Sequence, residues 1–216
     1  VIEIYQGAGF ANLALDAKKD YVARYGVDSE FRRANAAGWE RAQPLVKTHL
    51  TELAQHYHAS AQKSKASADY QEAVRWYRAT IASFPADPTT AKNHFLLAEL
   101  LYEDNRFGEA ATEYEKVAYA YPRHERSADA GYAALLGHAA VEKRAHATEL
   151  PALQRTSVDS ALRFAQTFPA DARAGSVLTT TAEKLYALND GERAATVAKQ
   201  VLALDPPATT TERRTA

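Results

Sequence analysis

The chain has 216 residues, of which 46% are hydrophobic and 25% are charged, a composition typical of a globular protein with one or two domains. Lys and Arg total 26 against 27 Asp and Glu, for a formal net charge of -1, so no global field favours nucleic acid or an anionic membrane as a partner. Cysteine is absent, which excludes disulfides, thiolate metal ligands and a thiol nucleophile.

The chain opens at Val1 and contains no methionine, and its first residues resemble the end of a helix. We therefore expect a piece of a longer protein, in which any secretory signal would lie upstream. The apolar runs are far shorter than the roughly 20 residues that a membrane helix requires. Direct membrane insertion by this segment is accordingly not expected.

In chain order, residues 1–26 are predicted to be the end of a truncated helix pair, and residues 27–43 are predicted to contain an inserted short helix. Four further helix pairs are predicted at 44–87, 88–124, 125–171 and 172–206. Pro44 is predicted to lie near the first turn of its helix. Backbone N–H groups there have no intrahelical acceptor, so a proline, which lacks an N–H, costs no hydrogen bond. Residues 207–216 are interpreted as a disordered tail or linker.

A small residue recurs in the second helix of each pair, 12 residues before a proline. The four instances are Ala73 with Pro85, Ala110 with Pro122, Ser157 with Pro169, and Ala194 with Pro206. Residues four apart share a helix face, so the small residue and its neighbours form one packing stripe. The proline ends the helix because it lacks an N–H and restricts the residue before it. This periodicity predicts repeated helix-turn-helix units.

The unit at 88–124 carries small and aromatic residues at set places, namely Leu97, Ala98, Leu101, Phe107, Ala110, Tyr114, Val117 and Pro122. The pattern resembles the tetratricopeptide repeat, a 34-residue helix pair. The resemblance implies an all-α, right-handed superhelical solenoid of stacked antiparallel helix pairs, covering residues 1–206 as a single domain.

The aromatic-proline corners at Phe84, Tyr121 and Phe168 are similar in style to those of bacterial envelope proteins of this family. Those proteins include the lipoprotein of the outer-membrane β-barrel assembly machinery and the Tol-Pal-associated periplasmic protein. The similarity implies a periplasmic or outer-membrane-associated location for this chain.

The family resemblance implies that the first helix of each pair lines a concave face that binds extended peptides. The shared phase of these helices assigns to that face Lys92, Phe95, Glu99, Tyr102, Tyr132, Leu136, Glu183 and Tyr186. Aromatic anchors beside acidic groups would suit a peptide with apolar side chains and some positive charge. The alternative that these aromatics pack between helices stays open.

Nothing in the sequence indicates catalysis, a metal or a cofactor. No nucleophile elbow, phosphate-binding glycine loop or zinc protease motif is present, and Glu113 and Glu115 are interpreted as part of a solvated acidic face. His49, His56 and His58 share one predicted helix, but His56 and His58 point to different faces and no third ligand lies nearby in sequence. Enzyme activity is therefore not expected.

The expected function is a scaffold for protein interaction or assembly, which binds a protein or peptide partner in its groove within a bacterial cell-envelope complex. Two alternatives stay open. The repeats would otherwise act as a structural spacer or homo-oligomerisation module, or as the regulatory arm of a larger enzyme.

Overall fold

A computed structural model describes residues 1–204 of the chain, which contain helices and no strand. The helices are α1 (Ile2–Gly7), α2 (Ala11–Tyr25), α3 (Glu30–Ala34), α4 (Ala36–Ser64), α5 (Ser67–Ser83), α6 (Thr90–Glu103), α7 (Phe107–Tyr119), α8 (Ser127–Glu142), α9 (Leu150–Thr167), α10 (Ala174–Ala187) and α11 (Gly191–Leu202). The all-α prediction is confirmed. The expected tail at 207–216 and the last repeat proline, Pro206, lie outside the described residues.

The chain divides into two compact units, Val1–Arg106 and Phe107–Ala216. In the first unit α2 packs on α4, α4 on α5, and α5 on α6. In the second unit α7 packs on α8, α8 on α9, α9 on α10, and α10 on α11. Helices that are near neighbours in sequence therefore pack as adjacent pairs within each unit. The boundary between the units falls between the two helices of the predicted repeat 88–124. No helix in residues 1–204 is long and apolar enough to cross a membrane.

The corners between helix pairs are held by hydroxyl groups of the first residue of the next helix. The buried Thr90 donates a 2.7 Å hydrogen bond to the carbonyl of Phe84. Ser127 occupies the corresponding place in the next repeat, and its oxygen accepts from the N–H of His124 at 3.0 Å. Each hydroxyl thus satisfies a backbone group of the corner that precedes its helix.

The long helix α4 (Ala36–Ser64) differs from the sequence prediction, because Pro44 lies inside it and not near its start. Asn35 caps the first turn, so the helix begins before the proline. A proline in a helix interior costs about 3 kcal/mol or more. Ala42 and Val46, on either side of it, are both buried, so α4 packs against its unit both before and after the proline.

Aromatic rings form the centre of the second unit. Phe164 and Phe168 are fully buried side chains whose ring centroids lie 5.5 Å apart. Tyr132 lies 6.1 Å from Phe164 between centroids. Gly131 makes room for these rings, because a Cβ there would lie 3.0 Å from a carbon of Phe164. This packing sets the position of α8 on α9.

Tyr119 carries a buried hydroxyl with no hydrogen-bond partner among residues 1–204, and burial raises its pKa to about 12. We expect Tyr119→Phe to raise the free energy of unfolding by about 1 kcal/mol, because an unsatisfied buried polar group is removed. Tyr70→Phe is the matched control, since the Tyr70 hydroxyl donates to Glu103 at 2.8 Å, and we expect it to destabilise the protein. Urea denaturation measures both. A larger loss for Tyr119→Phe than for Tyr70→Phe would contradict the prediction.

Candidate functional site

A groove in the second unit runs between α8 and α10, with α9 beneath it, and has a volume of about 360 Å³. It is lined from α8 by Tyr132, Leu135, Leu136 and Ala139, from α9 by Ser157 and Ala161, and from α10 and the preceding turn by Ala172, Arg173, Ser176, Val177, Thr180, Thr181 and Lys184. The two long walls are thus the first helices of two successive predicted repeats.

The two walls differ in chemistry. Leu135 and Leu136 make the α8 wall apolar, and Leu136 is 46% exposed. The α10 wall carries Ser176 and Thr180, which lie four residues apart and therefore on one face of the helix. Both are exposed, and neither hydroxyl bonds any other residue within the part of the chain that the structure describes. These hydroxyls are available to a ligand.

One end of the groove is closed by Arg173, which precedes α10. Its Nε and one terminal nitrogen donate to the two carboxylate oxygens of Asp171, each at 2.7 Å. The other terminal nitrogen lies 3.0 Å from a carboxylate oxygen of Asp129 on α8, and the guanidinium lies over the Tyr132 ring at 4.7 Å from its centroid. Because these contacts join α10 to α8, they hold this end at a defined width.

The other end is closed by Lys184, 11 residues after Arg173 and therefore about 16 Å further along the helix. Its ammonium donates to both carboxylate oxygens of Glu142 on α8, at 2.7 and 2.9 Å. Glu142 also accepts from the Ser157 hydroxyl on α9. One carboxylate thus joins three helices at the end of the groove. The third Lys184 proton has no partner in residues 1–204.

Four of the residues assigned to the peptide-binding face belong to the second unit. Tyr132 and Leu136 line the groove, whereas Glu183 and Tyr186 lie on the other edge of α10, where they line a separate cavity with α11. In a row of helices, each helix faces the preceding helix with one edge and the following helix with the other. A groove between two helices is therefore lined by the following edge of the first helix and the preceding edge of the second. Leu136 and Glu183 instead lie on the same edge of α8 and of α10.

The opposite wall was missed for that reason. It consists of Ser176, Thr180 and Lys184, which follow one another at intervals of four residues. That spacing forms a polar stripe along α10, and the stripe is visible in the sequence.

The other four assigned residues lie on α6 in the first unit. Lys92 is exposed, Glu99 and Tyr102 are half-buried, and Phe95 is only 7% exposed. The Phe95 ring is therefore covered, as the alternative of packing between helices expected.

The Tyr77 hydroxyl of α5 is buried as well. Burial, together with the nearby Glu99 carboxylate, raises the pKa of Tyr77 to about 12.

The interpretation of Glu113 and Glu115 as a solvated acidic face is wrong. Glu113 is buried and accepts from Lys116 at 2.8 Å. Glu115 is half-buried and accepts from the Ser160 hydroxyl on α9 at 2.6 Å. The same oxygen lies 3.1 Å from Nε2 of His138 on α8. Glu115 therefore joins α7 to both following helices.

The Glu115 carboxyl is expected to make the free energy of unfolding depend on pH in the acid range. The hydrogen bond with His138 lowers the pKa of the Glu115 carboxyl below its ordinary 4.5. A lowered pKa in the folded state gives stability that is present above 4.5 and lost as the pH falls below it. Between about pH 6 and pH 3 we therefore expect the free energy of unfolding to fall further for the unmodified protein than for the Glu115→Gln variant. Urea denaturation across this range measures the difference, with the exposed Glu125→Gln as a control that should follow the unmodified protein.

The histidines of α4 make contacts of a structural kind. His49 lies 3.2 Å from a carboxylate oxygen of Glu52, and its ring meets Tyr21 edge-on. Nδ1 of His58 lies 3.1 Å from the hydroxyl oxygen of Tyr77. Within residues 1–204 no three His, Asp or Glu side chains are grouped so as to hold a metal ion.

No protein-family model matches this chain, and no curated protein sequence is similar to it.

Proposed function

We propose that the chain is a tetratricopeptide-like interaction scaffold, and that the groove between α8 and α10 binds an extended peptide segment of a partner protein. The observation that carries the proposal is an open groove with one apolar wall and one wall of unpaired hydroxyls, closed at both ends by ion pairs that cross it.

Contacts between helices two apart support the stacked arrangement within each unit. In a stack of helix pairs, first helices contact first helices and second helices contact second helices. Such contacts join Lys65 to Glu103, Lys184 to Glu142, Ser160 to Glu115, and Arg193 to Asp159. The pairs connect α4 with α6, α8 with α10, α7 with α9, and α9 with α11.

The dimensions of the groove suit an extended peptide. Successive side chains of an extended chain point to opposite sides at about 3.3 Å per residue, so the distance of about 16 Å between Arg173 and Lys184 accommodates about five residues. Alternate side chains would contact Leu135 and Leu136. The peptide backbone would then hydrogen-bond the Ser176 and Thr180 hydroxyls on the other wall.

The apolar wall of α8 defines the peptide that suits this groove. The lining side chains include Arg173 and Lys184, but both cations are paired. Arg173 contacts Asp171 and Asp129, and Lys184 contacts Glu142. Because carboxylates compensate their charges, the two ends give no strong repulsion of a basic side chain. The preferred ligand is a segment with alternating apolar residues.

The groove is tested by selecting random heptapeptides on the 216-residue chain and measuring the affinity of a selected peptide by fluorescence anisotropy. Selected sequences should carry apolar residues at alternate positions. Thr180→Arg should weaken binding by at least about tenfold, because a long side chain then fills the groove. Thr196→Arg, the same change at an exposed position of α11, should leave the affinity within about twofold.

Two results would overturn this function. One is the failure of any heptapeptide to be enriched, and the other is an equal effect of Thr180→Arg and Thr196→Arg. Circular dichroism of both variants shows whether the helices are retained.

The location is a separate proposal. We infer a periplasmic or outer-membrane-associated role in a bacterial envelope complex from the aromatic-proline corners at Phe84, Tyr121 and Phe168. Fractionation of the cells that produce the native protein tests it, and recovery in the cytoplasmic fraction alone would contradict it.

A further inference from the structure

The floor of the groove between α8 and α10 contains a position at which the earlier predicted repeats carry a tyrosine. Four residues after the small residue of each predicted repeat stand Tyr77, Tyr114, Ala161 and Ala198 in turn. Tyr77 and Tyr114 are 2% and 6% exposed, so both rings are packed inside the protein. Ala161 is the first of the four residues to lack the ring.

Tyr77 shows where such a ring lies when it is present. Its hydroxyl oxygen is 3.1 Å from Nδ1 of His58 on α4, and the two rings meet edge-on with centroids 5.7 Å apart. The same side chain is close to the Glu99 carboxylate of α6. The ring carried by the second helix α5 therefore fills the space between the first helices α4 and α6.

Ala161 occupies the corresponding place on α9, beneath α8 and α10. It lies between Ser157, which donates to Glu142 at one end of the groove, and Phe164, whose ring centroid is 5.9 Å from the Arg173 guanidinium at the other end. Residues 157, 161 and 164 share one face of the helix, so Ala161 lies midway along the floor. Because Ala161 lines the cavity and carries only a methyl group, the space that a tyrosine ring would fill is open.

We infer that this space receives an aromatic side chain of the bound peptide, so that the groove selects segments with phenylalanine or tyrosine as the central apolar residue. The inference rests on the proposed peptide-binding function and adds the identity of the anchor. The cavity of about 360 Å³ is within the range of about 300 to 1,000 Å³ of ligand pockets. Leu135, Leu136 and Val177 line its centre, and an aromatic ring covered by them would bury about 150 to 250 Å².

The first test selects random heptapeptides in parallel on the unmodified 216-residue chain and on the Ala161→Tyr variant. On the unmodified chain, phenylalanine or tyrosine should be enriched at one position, with other apolar residues two positions away on either side. On Ala161→Tyr this enrichment should disappear, because the protein's own ring then occupies the space. Ala198→Tyr makes the same change at the equivalent position of α11, which does not line the groove, and it should keep the enrichment.

A defined probe measures the effect on affinity by fluorescence anisotropy. It is a fluorescent heptapeptide with leucine at the second and sixth positions, phenylalanine at the central position and serine elsewhere. Replacing the central phenylalanine with alanine should weaken binding to the unmodified protein by at least about tenfold, because the anchor is lost. Ala161→Tyr should weaken binding of the phenylalanine peptide by at least about tenfold, whereas Ala198→Tyr should leave it within about twofold.

Failure of the function and failure of the anchor give different results. If no heptapeptide is enriched on the unmodified chain, both are overturned. If heptapeptides with alternating apolar residues are enriched without a preference for an aromatic residue, the peptide groove stands and the anchor is wrong. The anchor is also wrong if Ala161→Tyr and Ala198→Tyr act alike, or if the phenylalanine and alanine peptides bind the unmodified protein equally. That last comparison needs no protein variant, so it holds even if Ala161→Tyr fails to fold.

Discussion

Replacing Phe164 with alanine is expected to lower the free energy of unfolding by about 3 to 5 kcal/mol. The side chain is 0% exposed, and its ring lies among those of Tyr132 and Phe168, with centroids 6.1 and 5.5 Å away. Truncation removes the buried apolar area and leaves a cavity that the rigid aromatic neighbours cannot close. Urea denaturation followed by far-ultraviolet circular dichroism measures the loss.

Tyr186→Ala is the control for this change, because it also truncates an aromatic ring, but one that is 76% exposed. We expect its effect to stay within about 0.5 kcal/mol. A loss for Phe164→Ala as small as that for Tyr186→Ala would contradict the aromatic centre described for the second unit.

Gly137→Val is expected to lower the free energy of unfolding by about 1 to 3 kcal/mol. A Cβ at this position of α8 would lie 3.1 Å from the Cβ of Ala111 and 3.1 Å from the carbonyl oxygen of Phe107. Both atoms belong to α7, and a backbone carbonyl cannot turn aside as a flexible side chain can. The helices must therefore separate, which outweighs the gain in helix propensity of several tenths of a kcal/mol over glycine.

Gly108→Val gives the comparison that isolates this contact. A Cβ at Gly108 would meet only a methyl carbon of Val141, at 3.8 Å, which is an ordinary contact. We expect no loss of stability from this variant. Equal thermal melting temperatures for the two variants would show that α7 and α8 do not approach closely at Gly137.

The helical class could be predicted from the sequence because the signals that define helices are local. The small residue and the proline that follows it mark the second helix of each predicted pair. Asparagine tolerates the left-handed conformation found at Asn105 and Asn189, in the turns that follow α6 and α10. The course of α4 could not be predicted in this way. The helix continues through Pro44, with Ala42 and Val46 buried on either side of the proline, and burial is a property of the packed chain.

The sequence alone determined that this protein is helical, that its helices come in a repeated phase, and that Tyr132 and Leu136 lie on one edge of α8. Four-residue spacing shows which side chains share a face, but it does not show which helix lies opposite. Only the tertiary structure placed Ser176, Thr180 and Lys184 across from that edge, and it joined Lys184 to Glu142, 42 residues earlier in the chain. Contacts between residues so far apart depend on how helices stack, and no local pattern encodes them.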